Sequence, residues 1–295
     1  MKVEITQERS FTVRAGSKAV HGLFHVAEWE GFTKYQDAKG GAVFTRDGQL
    51  VHASADLAGV LGFGAVEDGF VPVPEVTLPG GIVVPSFYVA QYAASKGDDG
   101  KAVIDPTRQP WVRIDFADSK AACASAGYSM ITETQWLAIA YDASQQAINW
   151  TGGAVGEGDL FQGYRNGSGP LQGDTTIGNT GVRRWLELSN GSRVYDFNGN
   201  AFQWVFDDVQ GDDDGLIAKK IMLESPSMAV APYPSRTKGM GWRPDSAVDW
   251  SGVALVRGGC WRSGGDAGAF LLLSVWPDYE DVGVGFRCTK SSSGL

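Results

Sequence analysis

Between Gly258 and Arg287 the chain interleaves two kinds of position. Gly258, Gly259, Trp261, Gly264, Gly265, Ala267, Gly268, Ala269 and Phe270 repeat small and aromatic types. Among and after them stand Cys260, Arg262, Ser263, Asp266, Leu273, Val275, Tyr279 and Asp281, which have no chemistry in common. A reaction centre concentrates His, Glu, Asp, Lys or a Cys beside a base, because proton transfer and nucleophilic attack need matched groups within hydrogen-bond reach. A mixed set on a frame of small and aromatic residues suits recognition instead.

Other reactive groups are sparse. Cys123, Cys260 and Cys288 lie far apart without CxxC spacing, so neither a zinc ribbon nor a disulfide scaffold is supported, and the odd count leaves at least one thiol unpaired. His21 and His25 have the four-residue spacing that aims two imidazoles at one metal on a helix, but Gly22, Leu23 and Phe24 between them disfavour that helix. No histidine follows His52. The run Asp212-Asp213-Asp214-Gly215 fails the EF-hand pattern, with Gln210 at the first ligand position and Ile221 at the last, and reads as a solvated loop. Asn149-Trp150-Thr151, Asn166-Gly167-Ser168 and Asn190-Gly191-Ser192 match the glycosylation sequon but read as turns.

The elements that must position these residues fall into two regions. Residues 1–68 alternate apolar and polar types, as in Ser10 to Arg14 and Ala42 to Arg46, with turn signals at Lys39-Gly40-Gly41 and Asp47-Gly48; they predict a small β-rich region. Residues 69–290 form the second unit, opening on a strand across Gly81 to Tyr92. Asp118 can cap a helix over Ser119 to Ala126 ended by Gly127, and Thr132 with Gln135 forms a capping box ahead of Trp136, Ile139 and Ala140. Beyond Tyr141 the pattern is short strands, including Ser192 to Phe197 and Val253 to Arg257, separated by Gly-, Asn- and Asp-rich loops. Residues 291–295 read as a tag remnant.

Composition bounds the function classes. The chain has 295 residues, 43% of them hydrophobic, enough for one large domain or for one domain plus a smaller one. Forty glycines and ten tryptophans point to a loop-rich fold anchored by aromatic rings. A net charge of −9 argues against nucleic acid as a general partner and against anionic membrane surfaces. The N-terminal segment lacks an apolar signal core and no stretch suits membrane insertion, so the expected location is the cytoplasm or a phage particle.

Four motifs in order carry a family resemblance: Met130-Ile131-Thr132-Glu133-Thr134-Gln135-Trp136, Tyr195-Asp196-Phe197-Asn198-Gly199-Asn200-Ala201-Phe202-Gln203-Trp204, Val256-Arg257-Gly258-Gly259-Cys260-Trp261 and Gly285-Phe286-Arg287. They resemble the formylglycine-generating-enzyme (sulfatase-modifying factor) family. The resemblance implies an α+β fold of the elaborated C-type lectin-like kind, loop-rich with short antiparallel strands and two helices. Asn149-Trp150-Thr151-Gly152-Gly153, Leu188-Ser189-Asn190-Gly191 and the closing Gly/Trp/Ala/Phe pattern look like one branch, the variable proteins of diversity-generating retroelements. There a reverse transcriptase mutates template adenines, so that Asn codons come to encode many residue types.

This resemblance implies that Cys260, Arg262, Ser263, Asp266, Leu273, Val275, Tyr279, Asp281 and Gly283 are diversified, with Leu271, Ser274 and Asp278 as further candidates. Adenine mutation of Asn codons cannot yield Trp, Met, Lys, Gln or Glu, so Trp276 and Glu280 are read as template-fixed or as derived from other codons. Trp276 joins the binding set with Tyr279 and Arg262 as an anchor, since aromatic and Arg side chains dominate hot spots. The expected function is ligand binding through a hypervariable surface, the partner being a protein or cell-surface ligand. The alternatives are an oxidase of the formylglycine-generating type and a phage tail-tip component. The oxidase would need a catalytic copper-binding cysteine pair, whereas the C-terminal stretch offers only Cys260 and Cys288. No cofactor is expected. Calcium is the ion left open, with Asn198, Asn200 and Gln203 as candidate oxygen ligands or, alternatively, structural hydrogen-bonders, Gln203 standing where the family carries an acid. Trp136, Trp204, Trp261 and Phe286 are assigned to the core, and Arg257 and Arg287 to tying irregular backbone.

Overall fold

The computed structural model of the chain describes residues 3–6, 10–15, 18–29, 32–46, 49–53, 57, 69–173 and 182–291. It divides into two compact units, Met1–Pro72 with Asn190–Ser192, and Val73–Ser189 with Arg193–Leu295.

The first unit is an antiparallel meander in which each strand pairs with the next: β1 (Val3–Thr6), β2 (Ser10–Ala15), β3 (Lys18–Trp29), β4 (Phe32–Gln36), β5 (Ala42–Arg46) and β6 (Gln49–Ala53). Val13, Val20, Leu23, Tyr35, Val43, Ala53 and Leu57 form its core. Val20 and Leu23, three apart on β3, both reach the core because the β2–β3 pairing shifts register between Phe11 and Val13. At the β4–β5 turn the Asp37 carboxylate accepts the Lys39 and Gly41 backbone N–H groups at 2.8 Å each. Asp47-Gly48 lies outside the described residues. His21 and His25 both lie on β3, where a four-residue separation spans about 13 Å at the rise of an extended strand. His21 Nδ1 pairs with Thr12 Oγ1 at 3.0 Å, and His25 lies 3.4 Å from Glu28.

In the second unit the first helix, α1 (Phe116–Ser125), starts three residues before the expected Ser119 because Asp115, not Asp118, is its cap. The Asp115 carboxylate accepts the Asp118 N–H at 2.7 Å. The helix ends as expected at Gly127, whose φ of +79° suits glycine. Tyr128 N–H donates to the Cys123 carbonyl at 2.9 Å and Gly127 N–H to that of Ala124 at 3.0 Å, the double bond of a Schellman ending. The second helix, α2 (Glu133–Ser144), has the expected capping box. Thr132 Oγ1 accepts the Gln135 N–H at 3.3 Å, and Gln135 Oε1 accepts the Thr132 N–H at 3.0 Å. Among the described residues a third, four-residue helix, α3 (Pro226–Ala229), adds to the two expected.

The strands are short. β7 (Phe70–Val73) spans the division between units, followed by β8 (Val76–Thr77), β9 (Val83–Val84), β10 (Phe87–Ala90), β11 (Ser95–Lys96) and β12 (Ala102–Val103). Then come β13 (Ser129–Met130), β14 (Trp185–Glu187), β15 (Arg193–Tyr195), β16 (Phe202–Val205), β17 (Ala254–Gly258), β18 (Gly268–Val275), β19 (Val284–Phe286) and β20 (Cys288–Ser291). The single strand expected across Gly81 to Tyr92 is two: Pro85 has no N–H to continue a ladder, so β9 pairs with β8 while β10 pairs with β20. Ser291, assigned from sequence to a tag remnant, closes β20 opposite Phe87; residues 292–295 lie outside the described residues.

The sheet that carries the C-terminal segment runs β18-β17-β16-β19, antiparallel except for the parallel β16–β19 pair. It takes Trp204 and Phe286 into the core on adjacent strands. The Trp204 indole donates to the Ile114 carbonyl at 2.9 Å, so burying the ring leaves no orphan donor. Within the loops, Asp212 Oδ1 accepts the Asp214 and Leu216 N–H groups at 3.0 Å each, closing the acidic run as an exposed turn.

Candidate ligand-binding face

The root of the C-terminal segment is held by residues from the other motifs. Arg257 on β17 pairs with Glu133 at the start of α2, both side chains wholly buried. Arg257 also donates to the Phe270, Leu271 and Ser227 carbonyls at 3.1–3.2 Å, which is the backbone-tying role its sequence context predicts. Burial pushes the Glu133 carboxyl above the ordinary carboxylate range, and the Arg257 charge opposes that rise. Trp136, one turn along α2, stacks on Phe197 with centroids 3.8 Å apart, and its indole donates to the Ala269 carbonyl at 2.8 Å.

Two glycines permit the close packing. Gly259 has φ +93°, and a Cβ there would lie 2.8 Å from Ala267 Cα. A Cβ on Gly268 would lie 2.3 Å from the Gly241 nitrogen. This contact lets the segment around Gly241 lie along β18, where Phe270 N–H donates to the Met240 carbonyl at 3.0 Å and Leu272 N–H to that of Trp242 at 2.9 Å.

Arg287 performs the second expected tie, donating to Ala90 O and Tyr195 O at 2.6 Å and to Gln203 Oε1 at 2.7 Å. Burial lowers it to about 10, so it stays charged at neutral pH. Its bond to Gln203 engages one member of the Asn198, Asn200 and Gln203 set. The Gln203 oxygen accepts from Arg287 and its amide donates to Asp196 O at 2.7 Å. Asn200 Oδ1 accepts the Leu171 N–H at 2.7 Å, and the Asn198 amide donates to Phe161 O. The Gln203 and Asn200 oxygens thus accept hydrogen bonds within the protein. Among the described residues no three His, Cys, Asp or Glu side chains converge on a metal-binding spacing.

On this root stands the exposed face. Arg262 Nη2 donates to Asp281 Oδ1 at 2.5 Å, and its guanidinium lies 5.4 Å from the Trp261 ring centre. Tyr279 reaches the other Asp281 oxygen at 3.4 Å, while its N–H donates to the Trp276 carbonyl at 3.0 Å across a turn. The turn is held from behind, with Phe116 N–H on the Pro277 carbonyl at 3.0 Å and Arg113 N–H on that of Asp281 at 3.1 Å. Trp276 is 68% exposed and Tyr279 41%. Asp278 and Glu280 are exposed beside them. Asp266 is ion-paired with Arg236 at 2.6 Å. Leu273, Ser274 and Val275 are half-buried near the end of β18, Leu273 opposite Val256 and Val275 opposite Ala254.

Several sequence assignments change. Cys260 is 0% exposed and Gly283 is buried beside it, where a Cβ would sit 3.2 Å from Cys260 Sγ, so neither presents a side chain to a partner. Leu271 is also buried, facing the core between the Arg257-bound carbonyls of its strand. Ser263 is half-committed, its hydroxyl accepting the Cys260 N–H at 2.8 Å. Trp261, assigned to the core, is half-buried because its backbone is held by Asn200 O and Gly167 N–H at the edge of the frame. Trp136, Trp204 and Phe286 are fully buried as expected.

Sequence reasoning missed Arg236, Arg113 and the meeting of Cys123 Sγ with Cys288 Sγ at 3.0 Å. Arg113 carries a signal only in three dimensions, a φ of +56° that turns the chain toward Asp281.

Among the described residues, two helices and a short third, brief strands and long hydrogen-bonded loops, with a fixed root under an exposed C-terminal face, define an elaborated C-type lectin-like domain preceded by a β-rich unit. The chain belongs to the family of the sulfatase-modifying factor enzyme 1-like domain, whose profile matches residues 1–292. Among solved structures it is similar to Treponema denticola variable protein 1, with 14% identity and a TM-score of 0.45 over 77% of this chain and 96% of that one. It is also similar to the U1 variant of Major Tropism Determinant, with 12% identity and a TM-score of 0.42 over 99% and 83% of the two chains. For PvdO from Pseudomonas aeruginosa the values are 14% and 0.34 over 75% and 94%. No curated protein matches the chain. No helix among the described residues is long and apolar enough to cross a membrane.

Proposed function

We propose that this chain is a ligand-binding variable protein whose partner docks on the face formed by Arg262, Asp266, Leu273, Val275, Trp276, Tyr279 and Asp281. The observation that carries the reading is the exposure of two large aromatic rings, Trp276 and Tyr279, on a turn whose backbone is fixed from behind by Phe116 and Arg113. Aromatic side chains held out by a rigid backbone lose little entropy on binding and are the residues that dominate hot spots. Asp278, Glu280 and the Arg262–Asp281 pair supply a polar rim, and half-buried Leu273 and Val275 an apolar floor, the composition of a protein-binding patch. The partner is a protein or cell-surface ligand, bound without calcium or another cofactor.

Diversification by a retroelement has a direct test: sequencing the locus. The expected finding is a reverse-transcriptase gene and an adenine-bearing near-copy of codons 258–287, with differences at Arg262, Asp266, Tyr279 and Asp281 and none at Cys260 or Gly283. Binding is tested by titrating a partner against Trp276→Ala and Tyr279→Ala, with and without chelator. Each substitution should cost about 2 kcal/mol or more, roughly thirtyfold in affinity. Loss with chelator and none with either substitution would place binding elsewhere.

An oxidase of the formylglycine-generating type is the rival. It would require a thiol pair that copper and a substrate cysteine can reach, and the pair that does meet, Cys123 with Cys288, is wholly buried. Conversion of a cysteine peptide to formylglycine by the copper-loaded protein would establish that rival.

A further inference from the structure

The turn that presents Trp276 and Tyr279 also carries carboxylates that the protein leaves unanswered. Asp278 and Glu280 are exposed, and neither has a hydrogen-bond or ion-pair partner among the described residues. Behind them α1 begins, its Phe116 N–H on the Pro277 carbonyl, and brings half-buried Asp115 and exposed Asp118 to the same end of the face. Lys120, farther along α1, is drawn the other way: its ammonium donates to the Asp214 carbonyl at 2.6 Å and lies 5.2 Å from the Phe206 ring centre. The guanidiniums at the turn are Arg262, already paired with Asp281, and exposed Arg113, whose backbone N–H holds the Asp281 carbonyl.

Exposed rings and unpaired carboxylates on one turn favour the same kind of group. The face of an indole or phenol ring is electron-rich and attracts a cation placed over it, and a carboxylate beside the ring adds its charge at the same point. A guanidinium suits both, because its plane stacks on the ring while its N–H groups reach the carboxylate. An anionic partner would instead meet like charge there, in a chain whose net charge is already −9.

We propose that the partner presents arginine side chains to this turn, one of them stacked on Trp276 and paired with Asp278 or Glu280. The inference rests on the docking face proposed above and names the chemistry which that face accepts. The turn is prepared for the task, since Tyr279 N–H on the Trp276 carbonyl and the bonds from Phe116 and Arg113 fix its backbone before any partner arrives. The open carboxylates also attract a cationic segment from a distance, over the ~10 Å that charge reaches at about 0.1 M salt.

The test uses the whole chain and three labelled short peptides: one alternating arginine with leucine, one with glutamine for arginine, one with glutamate. Fluorescence anisotropy reads binding, and thermal unfolding confirms that each variant is folded. The arginine peptide is expected to bind roughly tenfold or more tightly than the glutamine peptide, with an affinity that falls as salt is added. Trp276→Ala and the double variant Asp278→Asn/Glu280→Gln should each weaken it about fivefold or more. Glu157→Gln/Glu224→Gln removes the same two charges from exposed positions outside the turn and should change it less than about twofold. Equal binding of the arginine and glutamine peptides, both lost in Trp276→Ala, would overturn the charge preference and leave the docking face standing. Arginine-peptide binding that Trp276→Ala and Asp278→Asn/Glu280→Gln leave intact, or that Glu157→Gln/Glu224→Gln weakens equally, would show general attraction to an acidic chain and overturn the proposal. So would tighter binding of the glutamate peptide, or no binding of the arginine peptide. Failure of the docking face itself is read separately, from a partner titration that neither Trp276→Ala nor Tyr279→Ala disturbs.

Discussion

Arg262 and Asp281, nineteen residues apart in sequence, meet at 2.5 Å and couple the two halves of the exposed face. Asp281 has a second task, because the same oxygen accepts the Gly283 N–H at 2.7 Å. The two partners are therefore not equivalent. Arg262 is half-exposed, whereas the Asp281 side chain is 19% exposed and serves the backbone of the turn.

Arg262→Ala is expected to change stability by less than about 1 kcal/mol, since an ion pair with an exposed partner is screened by solvent. Asp281→Ala should cost more, about 1–2 kcal/mol, by orphaning a backbone N–H that lies in a buried stretch. Urea titrations of the two single variants and the double variant measure both effects. Equal costs would show that Asp281 does not hold the turn.

Trp136→Ala should cost roughly 3–5 kcal/mol, because it empties a fully buried ring site and frees the Ala269 carbonyl. Trp261→Ala, at a half-buried ring, should cost at most about 2 kcal/mol. Reversal of that order in denaturant titrations would move Trp261 into the core.

Glu133→Ala leaves the Arg257 guanidinium buried without its counter-charge and is expected to cost about 3–5 kcal/mol. Asp266→Ala removes a pair of similar chemistry at the surface and should cost less than about 1 kcal/mol. Thermal unfolding of the two variants side by side checks the contrast.

Gly268→Ala forces a methyl group against the backbone of Met240 and Gly241 and should cost about 1–3 kcal/mol through overpacking. Gly265→Ala, three residues earlier and with nothing within 4 Å of the added carbon, should stay within about 0.5 kcal/mol. A neutral Gly268→Ala would mean that the backbone near Met240 can give way.

Much of the frame was legible in the sequence because its signals are local. The Thr132–Gln135 box and Gly127 are helix punctuation that acts within a few residues, and both fall where they were read. The motif order likewise marked Trp136, Trp204, Phe286, Arg257 and Arg287 as buried anchors. Even here the Asp115 cap was displaced from Asp118, since two acids near a helix start look alike until backbone geometry selects one.

The division of the C-terminal segment into inward and outward side chains was a tertiary decision. From Gly258 to Asp266 neither a helical nor a strand period applies. The register shifts at Arg257/Gly258, and a 3₁₀ turn follows at Gly264–Asp266. Backbone partners as remote as Asn200, Arg165 and Gly167 then set which way each residue points. Cys260 thus goes in and Arg262 out, though both stand between frame residues. The Cys123–Cys288 and Asp266–Arg236 meetings have the same origin: contacts between distant segments leave no spacing in the sequence, because only the packed chain brings those backbones within reach.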